Sequence, residues 1–577
     1  ANTTGASNTA MGKSALAANT TASDNTAIGF EALEANTTGE ALVAVGRRAL
    51  EANTTASNNT SVGYKSLYVN TTGASNVALG TNALMANTTA DNNVGIGHNA
   101  MKANTTGTGN VAVGSGALDA NTTGSHNTAM GTTALSANTT GSYNLAFGRE
   151  ALAVHTTGNS NTAIGYLALD ASIDGSNNVA VGESALGALT STAGNTAVGK
   201  VALAANTGGY NTALGYQALY ANTTASNNVA VGYYSLAVNT TGASNVAVGN
   251  RALSANTTAS NNVAVGQDAL YANTTGAQNT AVGYAALDAA TTGNYLTAIG
   301  HNALGGNTTA HYNTSVGWNS MLANTTGEDN VAMGYKALVA NTTGGTNTAI
   351  GTTALKTNTT GASNTAVGKS ALNANTTGTA NVAVGYAAGD AITTSSYNTA
   401  IGREALGACI TGTGNTSVGN DAGSSTTTGD YNISIGYNAQ PTAVDADGEC
   451  TFGDTSITTI RCNDQSISAL SDQRDKTDIV NSPYGLDFIN TIQPRQFKWE
   501  TREGNAKDGK TRVGFIAQEL LTACDGDNSI LDLVLENNPD KLEAKYSNLV
   551  PIMAKAIQEL SAEVEQLKQQ LNNNNEE

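Results

Sequence analysis

Residues 245–278 read NVAVGNRALSANTTASNNVAVGQDALYANTTGAQ, a 17-residue unit followed by a near copy of itself. Aligning the chain on the Gly of the NVAVG motif gives 26 consecutive units, from Gly12 to Gly436. The spacing is 17 residues at every step except that from Gly199 to Gly215, where it is 16. Self-similarity at one short, fixed period indicates a repeat architecture in which each unit is one structural turn.

We number the unit N-(T/V)-A-(V/I)-G-x-x-A-L-x-A-N-T-T-G-x-x from position 1 to position 17. Position 4 is apolar in all 26 units, position 8 is Ala or Ser in all 26, and position 9 is Leu in 21. Seventeen residues are too few for a helix pair, and the unit predicts one coil of a parallel β-solenoid. We expect positions 2–4 to form a strand and positions 6–11 to form the second side of the coil. The N-T-T-G segment would be the turn, with its Gly at positive φ and its Asn bonded to its own backbone.

The interior of such a coil is thin. We expect it to hold about one Val or Ile from the strand, the Leu and some Ala. One rod would bury too little apolar area to offset chain entropy, whereas three rods around an axis would share a core. The repeat resembles the head of trimeric autotransporter adhesins, whose units carry a similar S-V-A-I-G-x-x-A pattern. Over residues 1–440 this resemblance implies a parallel β-roll that assembles as a homotrimer.

Aromatic residues recur at position 6 and should form a row along the solenoid. The row could contact glycans on a host surface, or it could pack neighbouring coils or chains together. Its members are Phe30, Tyr64, Tyr166, Tyr216, Tyr233, Tyr284, Trp318, Tyr335, Tyr386 and Tyr437.

Threonine pairs recur at positions 13 and 14. Regular Thr rows order water in some ice-binding solenoids, so ice binding is one alternative function. Turn chemistry is the other interpretation, because these residues lie beside Asn and Gly rather than in a strand.

Composition narrows the classes of partner. The net charge of −18 and the absence of a basic stripe argue against nucleic acid. No apolar run is long enough to span a membrane, and the scattered His residues support neither a metal site nor a cofactor. Cys450 and Cys462 could face each other on a hairpin, or all four cysteines could be free buried thiols. The chain starts inside a repeat, so we expect a further N-terminal region, through which other proteins of the same particle would attach.

Beyond about residue 441 the composition becomes that of a connector and then a globular domain. The stretch LSDQRDKTDIV, residues 470–480, places Ser471 five residues before Lys476. A serine hydroxyl needs a base to become a nucleophile, and a lysine acts as that base only when neutral. Taken alone, the pair is also what an ordinary polar surface would show.

The surrounding motifs, GLDFINTIQPRQFKW (485–499) and GFIAQEL (514–520), make a family comparison possible. Residues 471–577 resemble the intramolecular chaperone auto-processing domain of phage tailspikes, tail fibres and endosialidases. The resemblance implies a domain that brings three chains into register and then cleaves the Leu470–Ser471 bond. Ser471 would be the nucleophile and Lys476 the general base, with Asp472 and Arg474 in orienting or structural roles. Such a single-turnover serine endopeptidase needs no cofactor and acts on no other substrate.

The chain ends in a heptad pattern from Tyr546 to Leu571. Residues 557–571 predict a trimeric coiled coil, although an amphipathic helix docked on its own domain fits the first turns. The seam residues are Ile557, Leu560, Val564, Leu567 and Leu571.

These observations predict three segments. They are a solenoid shaft over 1–440, a β neck over 441–470 and a chaperone domain over 471–577. The function that fits best is a structural fibre of a tailed phage, located in the virion tail and contacting a host receptor, which would be a glycan. Alternatives are a bacterial surface adhesin of the same architecture, a protease acting on other proteins, and an ice-binding solenoid.

Overall fold

The computed structural model describes residues 2–457, 460–461, 471–500, 509–526, 528–536 and 542–575. The chain forms two compact units, residues 1–347 and residues 348–577. The segment boundaries predicted at residues 440 and 470 stay predictions.

The first unit contains one three-residue strand in each repeat. Its strands are β1 (Thr9–Met11), β2 (Thr26–Ile28), β3 (Val43–Val45), β4 (Thr60–Val62), β5 (Val77–Leu79), β6 (Val94–Ile96), β7 (Val111–Val113), β8 (Thr128–Met130), β9 (Leu145–Phe147), β10 (Thr162–Ile164), β11 (Val179–Val181), β12 (Thr196–Val198), β13 (Thr212–Leu214), β14 (Val229–Val231), β15 (Val246–Val248), β16 (Val263–Val265), β17 (Thr280–Val282), β18 (Thr297–Ile299), β19 (Thr314–Val316) and β20 (Val331–Met333).

The second unit begins with strands of the same kind. They are β21 (Thr348–Ile350), β22 (Thr365–Val367), β23 (Val382–Val384), β24 (Thr399–Ile401), β25 (Thr416–Val418), β26 (Ile433–Ile435) and β27 (Cys450–Phe452). β27 lies in the predicted neck and pairs in parallel with β26, so this part of the neck continues the strand ladder.

Within each compact unit, each strand pairs in parallel with the strand one repeat later, and equivalent positions face each other. Val246 pairs with Val263, and Val248 pairs with Val265. The short repeat keeps this register, because Thr196 pairs with Thr212. The predicted fold class, a mostly β parallel solenoid with 17-residue turns followed by a small domain of sheets and a terminal helix, is confirmed.

The strands place their central residue inside and their outer two residues outside. Ala247 is fully buried, whereas Val246 and Val248 on either side of it are only partly buried. The expectation that the strand Val or Ile points inward is therefore wrong. A three-residue strand alternates its side chains between two faces, and only the small Ala fits the narrow interior. The Leu at position 9 is buried as expected, as in Leu253.

Positions 6–11 form a chain of turns rather than a second strand. Positions 7 and 9 adopt positive φ, as in Arg251 (55°) and Leu253 (52°). A left-handed conformation costs a non-Gly residue about 1–2 kcal/mol. Full burial of a Leu side chain contributes about 1.5–3 kcal/mol, so burial is sufficient to hold Leu253 in this conformation.

The Gly at position 5 is required by both conformation and space. Gly249 has a φ of 139°, and a Cβ there would lie 2.4 Å from the carbonyl oxygen of Gly266. The Gly at position 15, which was expected at positive φ, does not adopt it in Gly276. A Cβ on Gly276 would lie 2.3 Å from the Gly293 carbonyl oxygen and 2.5 Å from Oδ1 of Asn273. The equivalent residue one turn earlier is Ala259, so this position does not require Gly in every turn.

Two ladders of Asn side chains fill the interior. At position 12, Asn273 Nδ2 donates to Asn256 Oδ1 at 2.9 Å and to the Gly276 carbonyl at 2.9 Å. At position 1, the backbone N–H of Asn262 donates to Asn245 Oδ1 at 2.9 Å, and Asn262 Nδ2 donates to the Gly276 carbonyl. Where consecutive turns both carry Asn, as here, one buried amide accepts a hydrogen bond from the next. The Oδ1 of Asn273 has no such partner, because the next turn carries Ala290. The prediction that the Asn bonds its own unit's backbone is confirmed.

The position-12 ladder is interrupted at His155. This ring is fully buried, and its Nε2 lies 2.9 Å from the Gly158 carbonyl. Oδ1 of Asn138, one turn earlier, is left without a hydrogen-bond partner. Burial lowers the pKa of His155 below its usual value. Asn is also replaced in this column at several later turns, among them Cys409, a buried thiol whose pKa is raised by burial to about 11.

The C-terminal part of the second unit is a small α+β domain. Its elements are a 3₁₀ helix (Gln473–Asp475), α1 (Leu486–Ile489), β28 (Arg495–Lys498), β29 (Thr511–Gly514), α2 (Ala517–Ala523), β30 (Val534–Leu535), β31 (Glu543–Ala544), a second 3₁₀ helix (Tyr546–Asn548) and α3 (Leu549–Asn574). β28 pairs antiparallel with β29, and β30 pairs antiparallel with β31. The core contains Phe488, Ile492, Leu520, Leu533 and Ile552.

Cys450 is exposed in β27. Its proposed partner Cys462 lies outside the described residues, so that pairing stays a prediction. None of the helices in the described ranges is long and apolar enough to cross a membrane.

The stacked Gly column makes a first prediction. Gly114→Ala should lower the free energy of unfolding by about 1–3 kcal/mol, because only Gly adopts this conformation without strain. The added Cβ would also lie 2.5 Å from the Gly131 carbonyl oxygen. The matched control is Gly116→Asn, two residues later, where φ is 64° and the nearest atom lies 3.6 Å away. Asn82 and Asn99 already adopt this conformation at the equivalent position. Urea denaturation followed by circular dichroism measures both, and equal losses would contradict the argument.

The interrupted ladder makes a second prediction. His155→Asn should stabilise the chain by about 1–2 kcal/mol, because an amide there can donate to the unsatisfied Asn138 Oδ1. The gain should be larger at about pH 5 than at about pH 8, because below about pH 6.5 the unfolded chain binds a proton that the buried ring resists. Thermal denaturation at both pH values tests this. His126→Asn, at an exposed ring, serves as the control, and a gain that does not change with pH would contradict the role of burial.

Candidate functional site

The predicted Ser471–Lys476 pair is brought together by one short turn. A 3₁₀ helix spans Gln473–Asp475, and the Asp472 side chain caps it by accepting a hydrogen bond from the backbone N–H of Arg474. This turn folds the chain back so that Lys476 Nζ donates a hydrogen bond to Ser471 Oγ at 2.6 Å. The five-residue spacing is therefore spanned by local structure.

Asp472 and Arg474 form an ion pair beside the dyad. Arg474 Nε lies 3.0 Å from Asp472 Oδ1. The hydrogen bond from Arg474 lowers the pKa of Asp472, and the same bond raises the pKa of Arg474. The guanidinium occupies the carboxylate, and among the described residues the hydrogen-bond partner of Lys476 is Ser471. Both dyad side chains are exposed to solvent in the single chain. Leu470, on the other side of the predicted scissile bond, lies outside the described residues.

Helix α3 is fastened to the domain at its first turns. Leu549, Ile552 and Ala556 are buried. The Glu559 carboxylate accepts a hydrogen bond from the backbone N–H of Leu486 at 2.7 Å, which lowers the pKa of Glu559. A Cβ at Gly485 would lie 2.2 Å from this carboxylate. Sequence reasoning missed this contact, because no pattern links two residues so far apart in the chain.

The heptad seam of α3 is exposed along its length. The exposed fraction is 63% for Ile557 and 65% for Leu571. Next to the first seam residues, Leu486 and Ile489 of α1 line an apolar groove together with Met553 and Leu560. Tyr546, the first residue of the predicted heptads, instead precedes α3 in a 3₁₀ helix and packs edge-on against Phe515. The apolar seam thus continues beyond the part of α3 that the domain itself covers.

The aromatic row at position 6 stacks on itself. The ring centroids of Tyr284 and His301 are 5.0 Å apart, and those of Trp318 and Tyr335 are 5.1 Å apart with planes within 9°. Lys336 lies over both Trp318 and Tyr335. In this face-to-face stacking the ring faces contact one another and the ring edges point toward solvent. The Trp318 side chain, for example, is 42% exposed. This geometry favours packing between neighbouring coils, while the exposed edges stay available for contacts.

A second aromatic column, at position 17, was not found from the sequence. Tyr295 and Tyr312 stack at 5.2 Å with planes 5° apart, and the Tyr210 ring lies against Gly194 of the preceding turn. The signal was present in the repeat, since these residues all directly precede position 1, which is Asn in every case except Leu296 after Tyr295. The exposed tyrosines of this column are Tyr143, Tyr210, Tyr295, Tyr312, Tyr397 and Tyr431.

The Thr pairs differ in their environments. The position-13 hydroxyl of Thr274 donates to the Thr291 carbonyl one turn later at 3.1 Å, whereas Thr275 at position 14 is exposed. The first Thr of each pair thus acts in turn chemistry, as the second interpretation of these residues expects.

One acidic cluster brings three carboxylates together. Oxygens of Glu31, Glu34 and Glu51 lie within 4.8 Å of one another. Arg48 lies 2.6 Å from Glu31 and 3.2 Å from Glu51, so the group is organised as an ion-pair cluster.

Comparison with known families singles out the dyad region. The peptidase S74 family model, described as the chaperone of endosialidase, matches residues 471–526. The chain is similar to this family over that segment, and the match starts at Ser471. The predicted kind of C-terminal domain is thereby confirmed, whereas the match does not extend to the solenoid. No match is found among curated proteins or among solved structures.

Proposed function

We propose that this protein is a tail-fibre-like structural fibre of a tailed phage, in which three copies assemble through a C-terminal chaperone that then cleaves itself off. The observation that carries the proposal is the 2.6 Å hydrogen bond between Lys476 and Ser471. It lies at the first residues of the segment that matches the endosialidase chaperone family. The solenoid would be the mature product, and the C-terminal domain would act once during assembly.

The proposed reaction uses only groups of the chain and water. Lys476, as the neutral amine, takes the proton of Ser471 Oγ, and the oxygen attacks the carbonyl carbon of Leu470. The peptide C–N bond breaks, and the nitrogen of Ser471 leaves as an amine after receiving the proton. The resulting ester joins Leu470 to Ser471 Oγ. Water then hydrolyses the ester, which releases the Leu470 carboxylate and restores the hydroxyl.

Solvent exposure in the single chain supplies a reason for cleavage to follow assembly. An ammonium surrounded by water keeps its proton, whereas loss of that water favours the neutral amine. Lys476 and Ser471 are both exposed in one chain, and a neighbouring chain would cover them. The exposed apolar seam of α3 gives such chains a place to meet. Assembly would therefore both align the shafts and activate the base.

The mature shaft would make the contact with the host surface. The exposed ring edges at positions 6 and 17 are the residues that we propose for this contact, with a glycan receptor as the partner. Aromatic side chains with a polar tip are common at such interfaces.

The dyad makes a direct prediction. The parent chain should yield two fragments, residues 1–470 and 471–577, whereas Ser471→Ala and Lys476→Met should stay intact. Lys498→Met removes an exposed lysine from the same domain and should cleave like the parent. Denaturing gels with intact mass measure all four proteins. If the parent stays whole or Lys476→Met cleaves normally, the proposed self-cleavage is wrong.

The coupling of cleavage to assembly makes a second prediction. Ile557→Asp should slow cleavage at least about tenfold, because a charge in the seam opposes assembly. Gln558→Asp adds the same charge at the adjacent exposed residue, off the seam, and should cleave like the parent. The cleaved fraction over time and the mass by light scattering are measured together. If the Ile557→Asp chain is monomeric and still cleaves at the normal rate, cleavage does not depend on assembly, and the proposed coupling is wrong.

A further inference from the structure

The outward face of the strand ladder is an uncharged surface with no partner in the single chain. Positions 2 and 4 point outward in β2 to β26, because the small residue between them (Ala, Ser or, in β6, Gly) is buried. Position 4 is apolar in all 26 units, and position 2 is Thr, Val, Leu or Ile in all 26. The larger members are well exposed, with Leu79 at 46%, Phe147 at 50% and Leu214 at 48%. We call this surface, formed by positions 2 and 4, the strand face.

Charge is kept off the strand face throughout the repeat. Every Asp, Glu, Lys and Arg of the 26 units lies at position 6, 7, 10, 14, 16 or 17. Salt bridges follow the same columns, as in Arg251–Asp268 and Lys200–Glu183 at positions 6 and 7. A surface meant for solvent would carry charges at some of its many positions. The two strand-face columns carry none.

The strand face is too large for an ordinary exposed patch. The first unit has twenty strands stacked in register. With on the order of 30 Å² exposed at each of two positions per strand, the first unit alone offers an uncharged surface on the order of 1,000 Å², against about 300–600 Å² for the largest apolar patch of a typical monomer. Two such faces packed together would bury on the order of 2,000 Å², which is the lower end of the range for obligate interfaces between subunits.

We propose that the strand face is the surface through which copies of this chain pack against one another along the shaft. This inference rests on the proposed trimeric fibre and adds which face of the solenoid lies at its centre. A partner for this face must carry an uncharged surface that is built on the same rise per turn and extends over many turns. A second copy in parallel register meets these requirements. The α3 seam independently calls for identical parallel partners at the C-terminal end of the chain.

In such an assembly, equivalent residues of the copies meet at the same level. Phe147 would lie beside Phe147 of the other copies, and its smaller neighbour Ile164 beside Ile164. A slip by one unit would place Phe147 against Ile164 or Met130 and change little else. The strand face would therefore hold the copies together along the shaft but would distinguish only weakly between correct and slipped registers. This agrees with a separate C-terminal domain that aligns the copies.

The test adds one cysteine at a time to the full chain with Cys450→Ser and Cys462→Ser, in which the two remaining thiols, Cys409 and Cys524, are buried. Leu79→Cys places a thiol on the strand face, and Thr81→Cys places one two residues later at position 6. Both positions are exposed in the single chain, so exposure alone does not distinguish them. After mild copper–phenanthroline oxidation, denaturing gels report covalent dimers, and light scattering before oxidation reports the mass.

The expected result is a trimer in which Leu79→Cys gives covalent dimers and Thr81→Cys gives none. A trimer in which Thr81→Cys cross-links and Leu79→Cys does not, or in which both do so equally, would overturn the strand face as the interface and leave the trimeric fibre standing. A monomer in which neither variant cross-links would overturn both proposals. If that monomer also produced thermal hysteresis, we would infer that the strand face binds ice instead of a second copy of the chain.

Discussion

Every feature of the shaft depends on one constraint, the superposition of each turn on the next with equivalent residues in contact. The strands pair Val on Val and Ala on Ala, one repeat apart. Because equivalent positions have the same surroundings in every turn, a residue type that is stable in one turn is also stable at the same position in the others. Gly at position 5 stacks on Gly, amide bonds to amide, and ring lies on ring. A side chain that fits poorly with its own copy is excluded from that column, which is why the sequence is so monotonous.

The same constraint explains why the shaft and the C-terminal domain belong to one chain. A repeating surface attracts its copies at many offsets that differ little in energy, so the shaft cannot define its own alignment well. The C-terminal domain has what the shaft lacks, namely a non-repeating core around Phe488 and Leu520 and a helix with an unpaired seam. A domain of this kind would define one alignment before the parallel strands, which form slowly, begin to pair. Its removal afterwards would leave the shaft kinetically trapped.

Much of this architecture could be predicted from the sequence, since the period, the strand at positions 2–4 and the buried Leu253 follow from the pattern alone. The direction of the strand side chains could not. In a three-residue strand, either the central side chain or the two outer side chains can point inward. Ala247 rather than Val248 points inward because the interior is narrow, and the width of the interior cannot be read from the sequence of one unit. Likewise, both Gly249 and Gly276 are consensus glycines, and only the stacking of turns shows which has positive φ. For the dyad, the pattern supplied the residues Ser471 and Lys476. Their approach depends on a 3₁₀ turn that the five-residue spacing does not specify, and the proposed loss of water around them would depend on contacts with other copies of the chain.

The buried Asn ladders have a consequence for how such a fibre ages. Asparagine side chains hydrolyse slowly to aspartate in water, and an extracellular fibre cannot be replaced once it is made. While a turn is stacked, its amides are enclosed and held by their neighbours, so that hydrolysis is suppressed. When an end turn frays, its amides become open to this chemistry, and any aspartate formed would carry a charge that the interior cannot accommodate. Fraying would then become irreversible one turn at a time, so that chemical damage would advance from the ends of the shaft while its middle stays intact.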